Sequence, residues 1–141
     1  MCAIMTDGSL YCWGYNFYGQ IGDGTTCTSS SYLNGCNGQT GRSSPVEVSL
    51  PTGRTATAVS TGTEHTCAIL DDGSVWCWGY NSDGQLGVGS EKVIHNLPKV
   101  CSFNVIVHSV SCDEEHSCFI AGDGGYLYSM GSNADGKLGI G

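Results

Sequence analysis

The sequence predicts an all-β chain built from copies of one repeated unit, and three observations lead to that fold class. Three segments share one pattern and cover residues 2–24, 65–89 and 116–141, and such self-similarity is typical of repeat architectures. Roughly ten short apolar runs lie between turn residues, and no window shows the helical period. Glycine supplies 22 of the 141 residues against three prolines, which indicates many tight turns rather than a low-complexity segment.

The first two copies each begin with a β-hairpin. In the second copy, residues 66–79, the turn Asp71-Asp72-Gly73 fits a type I turn that ends in a left-handed glycine. Counting outward from that turn places Cys67 opposite Cys77 in a non-hydrogen-bonded pair, where Cα atoms lie about 4.5 Å apart. That distance allows a disulfide. The same count places Cys2 opposite Cys12, so we expect two hairpin disulfides.

The remaining cysteines give less definite expectations. Cys27 and Cys36 both lie in a polar insertion, residues 25–44, and could close that loop on itself. Cys101 and Cys112 form a second, weaker candidate pair. The third hairpin has a longer turn, which places Cys118 opposite Ser129 and leaves it without a hairpin partner. No C-x-x-C motif or zinc-finger histidine spacing occurs, so the spacing favours disulfides over metal ligation.

Each hairpin leads into a glycine-spaced loop of the form G-x-N-x-x-G-[QK]-[IL]-G-x-G. We expect its asparagine to bond local backbone and its single aliphatic residue to enter the core, namely Ile21, Leu86 and Leu138. Further strands are predicted over 45–50, 56–61, 97–103 and 105–112.

The charge excludes some functions. The net charge is −8, and the five lysines and arginines do not cluster. Such a chain is a poor electrostatic match for nucleic-acid phosphates or an anionic membrane. No apolar run approaches the length of a membrane span. We therefore expect no nucleic-acid partner and no membrane insertion.

The full repeat reads V-S-x-G-x-x-H-[TS]-C-A-I-x-x-D-G-S-V-W-C-W-G-x-N-x-x-G-Q-L-G, and it resembles the repeat of the regulator of chromosome condensation family. The resemblance implies a seven-bladed β-propeller in which each blade is a four-stranded antiparallel sheet. This chain has strands for about two to three blades, so residues 1–141 are expected to form a partial β-propeller, a fragment of such a ring. The ring would be completed by the remaining blades of a longer parent chain or by self-association. The paired cysteines resemble the disulfide-bearing variant of secreted, largely bacterial repeat proteins.

The resemblance and the cysteines together predict a non-enzymatic protein-interaction or scaffold module in an extracellular or otherwise oxidising compartment. The alternative is a regulator similar to the family's nucleotide exchange factor for a small GTPase, which would be a reduced protein of the cytoplasm or nucleus. A Cys–His nucleophile, such as Cys67 with His65 or Cys118 with His116, is disfavoured. Cys67 has a disulfide partner, and the resemblance implies that both histidines are structural residues that bond loop backbone. Cys118 is interpreted as a buried, inert thiol. We therefore expect no enzyme activity, cofactor or metal site.

Partner contacts are expected where the copies differ. The candidate partner-binding residues are Tyr32, Asn34 and Arg42 of the insertion and the acidic run Asp113, Glu114 and Glu115.

Overall fold

The computed structural model describes residues 1–28, 36, 38–90 and 92–140, and these residues form ten strands and one short 3₁₀ turn, Ala134–Gly136. The strands are β1 Cys2–Ile4, β2 Leu10–Tyr15, β3 Gly41–Glu47, β4 Ala56–Thr61, β5 His65–Leu70, β6 Val75–Tyr80, β7 Ile94–Val100, β8 Val107–Cys112, β9 His116–Ala121 and β10 Tyr126–Gly131.

The strands form three antiparallel sheets, which we call the first, second and third blades. Their strand orders are β1-β2-β3, β4-β5-β6-β7 and β8-β9-β10. The second blade therefore has the full four strands, and its two neighbours have three each within the described part of the chain. This arrangement confirms the predicted partial propeller, with one complete sheet between two incomplete ones.

The hairpin register agrees with the sequence. Cys2 pairs with Cys12, Cys67 pairs with Cys77, and Cys118 faces Ser129. The turn glycine Gly73 has φ 77°, a left-handed conformation that glycine adopts without steric cost.

The outer strands start earlier than the sequence indicated. β3 begins at Gly41, inside the segment assigned to the insertion, because Gly41 and Arg42 pair with the end of β2 after a register shift. β7 likewise begins at Ile94 rather than Leu97, again beyond a register shift on its partner strand. A bulge hides such pairings from a period-two pattern.

Two apolar layers lie between the blades. The layer between the first and second blades contains Leu10, Ile21, Leu70 and Trp78 among its buried residues. The layer between the second and third blades contains Ile69, Val75, Leu86 and Phe119 among its members. Ile21 and Leu86 thus enter the core as predicted, whereas Leu138 in the third copy is only half-buried.

The blades are also joined by hydrogen bonds to the glycine-spaced loops. The carbonyl of Gln20 accepts from the Thr66 hydroxyl at 2.8 Å and from the Trp78 indole at 3.0 Å. At the next junction the carbonyl of Gln85 accepts from the Ser117 hydroxyl at 2.9 Å. The loop of one blade is therefore held to the central strands of the next.

Among the described residues, the outer face of the third blade exposes an apolar pair that is buried in the second blade. Ile69 and Val75, which pair across the second hairpin, are 4% and 2% exposed beneath the third blade. The corresponding pair in the third hairpin, Ile120 and Leu127, is 37% and 67% exposed. In the part of the chain that the structure describes, no helix has the length and apolar character of a membrane span.

Candidate functional site: an acidic and aromatic surface beside a buried sulfur cluster

Four aromatic side chains meet where the loop of the first blade touches the second blade. Tyr15 stacks on Phe17 with ring centroids 6.2 Å apart. Phe17 meets Tyr18 edge to face at 5.1 Å, and Tyr18 reaches Tyr80 of the second blade at 4.6 Å. Tyr15 is 49% and Phe17 is 37% exposed. Exposed aromatic side chains grouped in this way are typical anchors of protein interfaces.

Carboxylates continue this surface towards the third blade. Glu64 precedes β5, and Glu114 and Glu115 occupy the corresponding turn before β9. Burial raises the pKa of Glu64, and the charges of Glu115 and then Glu114 raise it further. The charges of Glu115 and Glu114 therefore disfavour the charged form of Glu64, and a cationic side chain bound beside it would offset that effect.

The aromatic and acidic groups form one continuous surface. The Tyr18 ring lies 4.6 Å from that of Tyr80, which ends β6 next to the residue paired with the start of β5, and the charge of Glu64 is the main cause that raises the pKa of the Tyr18 hydroxyl. The backbone of Glu64 also accepts the N–H of Tyr80 at 2.9 Å. We call the acidic–aromatic surface the set Tyr15, Phe17, Tyr18, Tyr80, Glu64, Glu114 and Glu115.

The sequence analysis predicted Glu114 and Glu115 as contact residues, but neither Glu64 nor the aromatic residues. Asp113, Glu114 and Glu115 are exposed. The signal for the aromatic part lay in the difference between copies, because Phe17 and Tyr18 stand where the second copy has Ser82 and Asp83.

The other predicted contact residues lie elsewhere. Arg42 is half-buried, and its guanidinium donates to Asp23 through Nε at 3.0 Å and to the Thr25 hydroxyl through Nη2 at 3.0 Å. This ion pair is nearly closed to solvent, so Arg42 anchors the base of the insertion rather than facing a partner. Tyr32 and Asn34 lie outside the described residues.

The disulfides join six of the nine cysteines, as Cys2–Cys12, Cys27–Cys36 and Cys67–Cys77. The weaker pairing of Cys101 with Cys112 is not formed, and both are free thiols, as is Cys118. Cys101 directly follows β7 of the second blade, and Cys112 ends β8 of the third. Each contacts a group other than its predicted partner. The sulfur of Cys101 lies 3.2 Å from that of Cys77, whereas the sulfur of Cys112 lies 3.8 Å from the Ser117 hydroxyl.

A sulfur cluster, which we define as Cys67, Cys77, Cys101 and Cys112, is therefore buried between the second and third blades. Burial raises the pKa of Cys101 to about 12 and that of Cys112 to about 11. Both thiols are protonated at neutral pH, so either can act as a nucleophile only after it has given up its proton.

His65 borders this cluster and is fully buried. Its Nε2 lies 2.8 Å from the Ser117 hydroxyl, whereas Nδ1 has no partner. Burial, and then the charge of His116, lower the pKa of His65 to about 4. The ring is therefore neutral at physiological pH. The resemblance implied a bond to loop backbone, and the structure instead shows a bond to a side chain of the next blade.

The chain consists of stacked antiparallel sheets, two of which carry a disulfide across a hairpin. Stacked sheets of this kind are typical of β-propeller repeat proteins. Models of the regulator of chromosome condensation (RCC1) repeat match residues 7–69 and 72–120, and a second model of that repeat matches 56–85. The chain belongs to this RCC1 repeat family.

Two curated relatives illustrate the family. The chain is 39% identical over 98 residues to the ultraviolet-B receptor UVR8 of Arabidopsis thaliana, an alignment that covers 70% of this chain and 19% of the receptor. It is 32% identical over 139 residues to the human probable E3 ubiquitin-protein ligase HERC4, covering 97% of this chain and 12% of the ligase. The chain thus spans less than a fifth of either relative.

Solved structures show the same fold. Yeast RCC1 (Prp20), crystallised with Kap60, superposes with a TM-score of 0.81 at 21% identity, covering 99% of this chain and 32% of that one. The ectodomain of the Arabidopsis thaliana receptor kinase ACR4 gives a TM-score of 0.56 at 20% identity, covering 94% and 37%. This chain therefore corresponds to about a third of such a propeller.

Proposed function

We propose that this chain is a non-enzymatic protein-interaction module whose acidic–aromatic surface binds a basic partner protein. The observation that carries the proposal is the run of ring contacts from Tyr15 and Phe17 through Tyr18 to Tyr80, whose N–H donates to the backbone carbonyl of Glu64. The charges of Glu115 and Glu114 act on Glu64 in turn. Aromatic side chains provide contact area at a low entropic cost, and the carboxylates would attract and orient lysine and arginine side chains.

Histones are a suitable first probe. They are basic, and a solved neighbour, Prp20p from Saccharomyces cerevisiae, is described by its binding properties to Gsp1p and histones. We expect the chain to bind histones with an affinity that falls as salt rises, because exposed charges are screened. The triple variant Glu64→Gln, Glu114→Gln, Glu115→Gln and the variant Phe17→Ala should each bind more weakly.

A matched control distinguishes an effect of the acidic–aromatic surface from an effect of net charge. Asp71 and Asp72 lie in the turn between β5 and β6 and pair with Arg54, so Asp71→Asn with Asp72→Asn removes negative charge away from the acidic–aromatic surface. Binding should remain near wild type in this variant. Equal losses in the control and in the glutamate variant would contradict the proposal.

The second candidate is a regulator similar to the exchange factors of this family. It is favoured by the superposition on Prp20p, whose description names Gsp1p. Release of labelled nucleotide from Gsp1p, measured with and without the chain, tests it. Acceleration that is lost on Glu64→Gln would favour this function over a scaffold role.

Two further proposals concern the setting of the module. The three disulfides support an oxidising compartment. The exposed Ile120–Leu127 pair supports packing of the third blade against a further blade, either from a longer parent chain or from a second copy, because the same pair in the second blade is buried.

A further inference from the structure

The buried junction between the second and third blades places three metal-binding side chains together. One ligand atom each from His65, Cys67 and Cys112 lies within 4.8 Å of the other two. In a tetrahedral zinc site with Zn–S bonds of about 2.3 Å and Zn–N bonds of about 2.0 Å, ligand atoms lie roughly 3.5–4 Å apart. The three groups would therefore need to move by only about 1 Å to share one ion.

Two further features suit an ion at this place. His65 is fully buried, and its Nε2 contacts the same Ser117 hydroxyl that lies near both sulfurs. The hydroxyl of Ser117 lies among the three ligands, 2.8 Å from His65 Nε2, 4.0 Å from the Cys67 sulfur and 3.8 Å from the Cys112 sulfur. A polar centre thus already exists inside an otherwise apolar layer.

One ligand, Cys67, is engaged in the disulfide with Cys77, but a substitute partner for Cys77 is in place. The sulfur of Cys101 lies 3.2 Å from the Cys77 sulfur and is free. In an exchange, Cys101 gives up its proton to solvent and forms a bond to Cys77, the Cys67–Cys77 bond breaks, and its electron pair stays on Cys67 as a thiolate. The number of disulfides is unchanged, so no oxidant or reductant is consumed.

We propose that His65, Cys67 and Cys112 form a site for Zn²⁺ or a similar borderline-soft divalent cation, which opens when Cys77 changes partner from Cys67 to Cys101. Binding releases two protons, one from Cys101 and one from Cys112. The ion then links β5 of the second blade to β8 of the third. The new disulfide joins β6 to the residue that follows β7 within the second blade.

The first blade offers an internal control. Its hairpin disulfide Cys2–Cys12 matches Cys67–Cys77, but the position that corresponds to Cys101 is occupied by Val48. The N–H of Val48 donates to Leu10 and that of Cys101 donates to Val75, at corresponding places in the two hairpins. No exchange is therefore expected at Cys12.

The first test uses the variant Cys77→Ser, which frees Cys67 while the other two disulfides stay intact. Oxygen-free titration with Co²⁺ in the absence of reductant should give one ion per chain and a thiolate-to-cobalt charge-transfer band, and Zn²⁺ should displace it. Adding Cys112→Ser or His65→Gln to Cys77→Ser should abolish the band. Adding Cys118→Ser should leave it unchanged, because Cys118 follows Ser117 on β9 and so points to the opposite face.

The second test uses the unaltered chain and covers the case in which Cys77→Ser fails to fold. The chain is incubated with Zn²⁺ and a catalytic amount of a small thiol, and its disulfides are mapped after alkylation. Zn²⁺ should raise the yield of the Cys77–Cys101 peptide and leave Cys2–Cys12 unchanged. A map that retains only Cys67–Cys77, or a folded Cys77→Ser variant without the cobalt band, would overturn the proposal.

Discussion

Trp78 donates its indole N–H to the carbonyl of Gln20 at 3.0 Å across the junction between the first and second blades. The same carbonyl accepts from Thr66, so one backbone oxygen of a loop is held by two side chains of the next sheet. In the third blade Met130 stands at the position of Trp78, and its side chain has no N–H to donate. The two junctions therefore share the bond from the strand hydroxyl to the loop carbonyl but differ in the indole bond.

The variant Trp78→Phe should destabilise the chain by about 2 kcal/mol. It removes one buried hydrogen bond and part of a fully buried side chain. Urea unfolding would measure the change in the free energy of unfolding. Trp13 occupies the equivalent position in the first blade and is half-buried, so Trp13→Phe should cost clearly less. Equal costs would show that the inter-blade bond contributes nothing.

Gly22 should tolerate no side chain. Its φ is 80°, and an added Cβ would lie 2.6 Å from the Trp78 indole nitrogen. Gly22→Ala should therefore combine backbone strain with overpacking and cost about 2–4 kcal/mol. Gly84 has a similar φ of 75° with open space at its Cβ. Gly84→Ala should lose only about 1 kcal/mol, and thermal unfolding of both variants would separate the two effects.

The disulfides should be found in the purified chain and should stabilise it. Peptide mapping without reductant and without added metal should recover Cys2–Cys12, Cys27–Cys36 and Cys67–Cys77 as linked peptides. Each hairpin disulfide closes a small loop and is expected to contribute about 2–3 kcal/mol. Reduction should lower the unfolding midpoint accordingly. Free thiols at Cys2, Cys12, Cys67 and Cys77 would remove the support for an oxidising compartment.

Acid should destabilise the chain through His65. Its pKa is lowered from 6.5 to about 4 in the folded state, so the unfolded chain binds more protons between these values. The contribution of His65 to the free energy of unfolding is therefore present in full above about pH 6.5. It falls by about 3 kcal/mol as the pH drops to about 4. Burial, followed by the charges of Lys92 and Lys99, also lowers the pKa of His95, which adds to the loss.

The control for the acid effect is His65→Gln, which retains a group able to bond the Ser117 hydroxyl but does not titrate. Unfolding free energies measured between pH 4 and 7 should show a shallower slope for this variant. A slope equal to that of wild type would mean that His65 is not the group responsible.

The outer face of the third blade should govern self-association. Leu127 and Ile120 expose an apolar pair there, and exposed apolar patches on a sheet favour association. We expect light scattering to show a mass that rises with concentration, and Leu127→Glu should suppress the rise. Val93→Glu, a change at an exposed apolar residue of the loop before β7, should leave it in place.

Much of the architecture follows from local rules that the sequence displays. The hairpin turns have a definite length and end in glycine, so counting from Gly73 sets the register that brings Cys67 opposite Cys77. The same rule, applied to a longer turn, predicted that Cys118 would face Ser129. These relationships involve residues near each other in the chain, where turn geometry alone decides the pairing.

Local rules did not predict where β3 and β7 begin. They also did not predict which groups the free thiols Cys101 and Cys112 contact. β3 and β7 pair beyond bulges, and a bulge breaks the alternation on which a strand prediction depends. The sequence predicted Arg42 as a partner contact, and the fold pairs it with Asp23, nineteen residues away in the chain, a contact that no local pattern shows.

By itself, the sequence determined the repeat, the all-β class and the two hairpin disulfides, because each depends on residues within one short turn. Only the tertiary structure decided that Phe17 and Tyr18 join Glu64 on one surface, and that Cys101 and Cys112 face Cys77 and Ser117 rather than each other. These contacts join different blades, and their geometry is set by how the sheets stack. The packing of one sheet on the next is a sum of many weak contacts that no local pattern records.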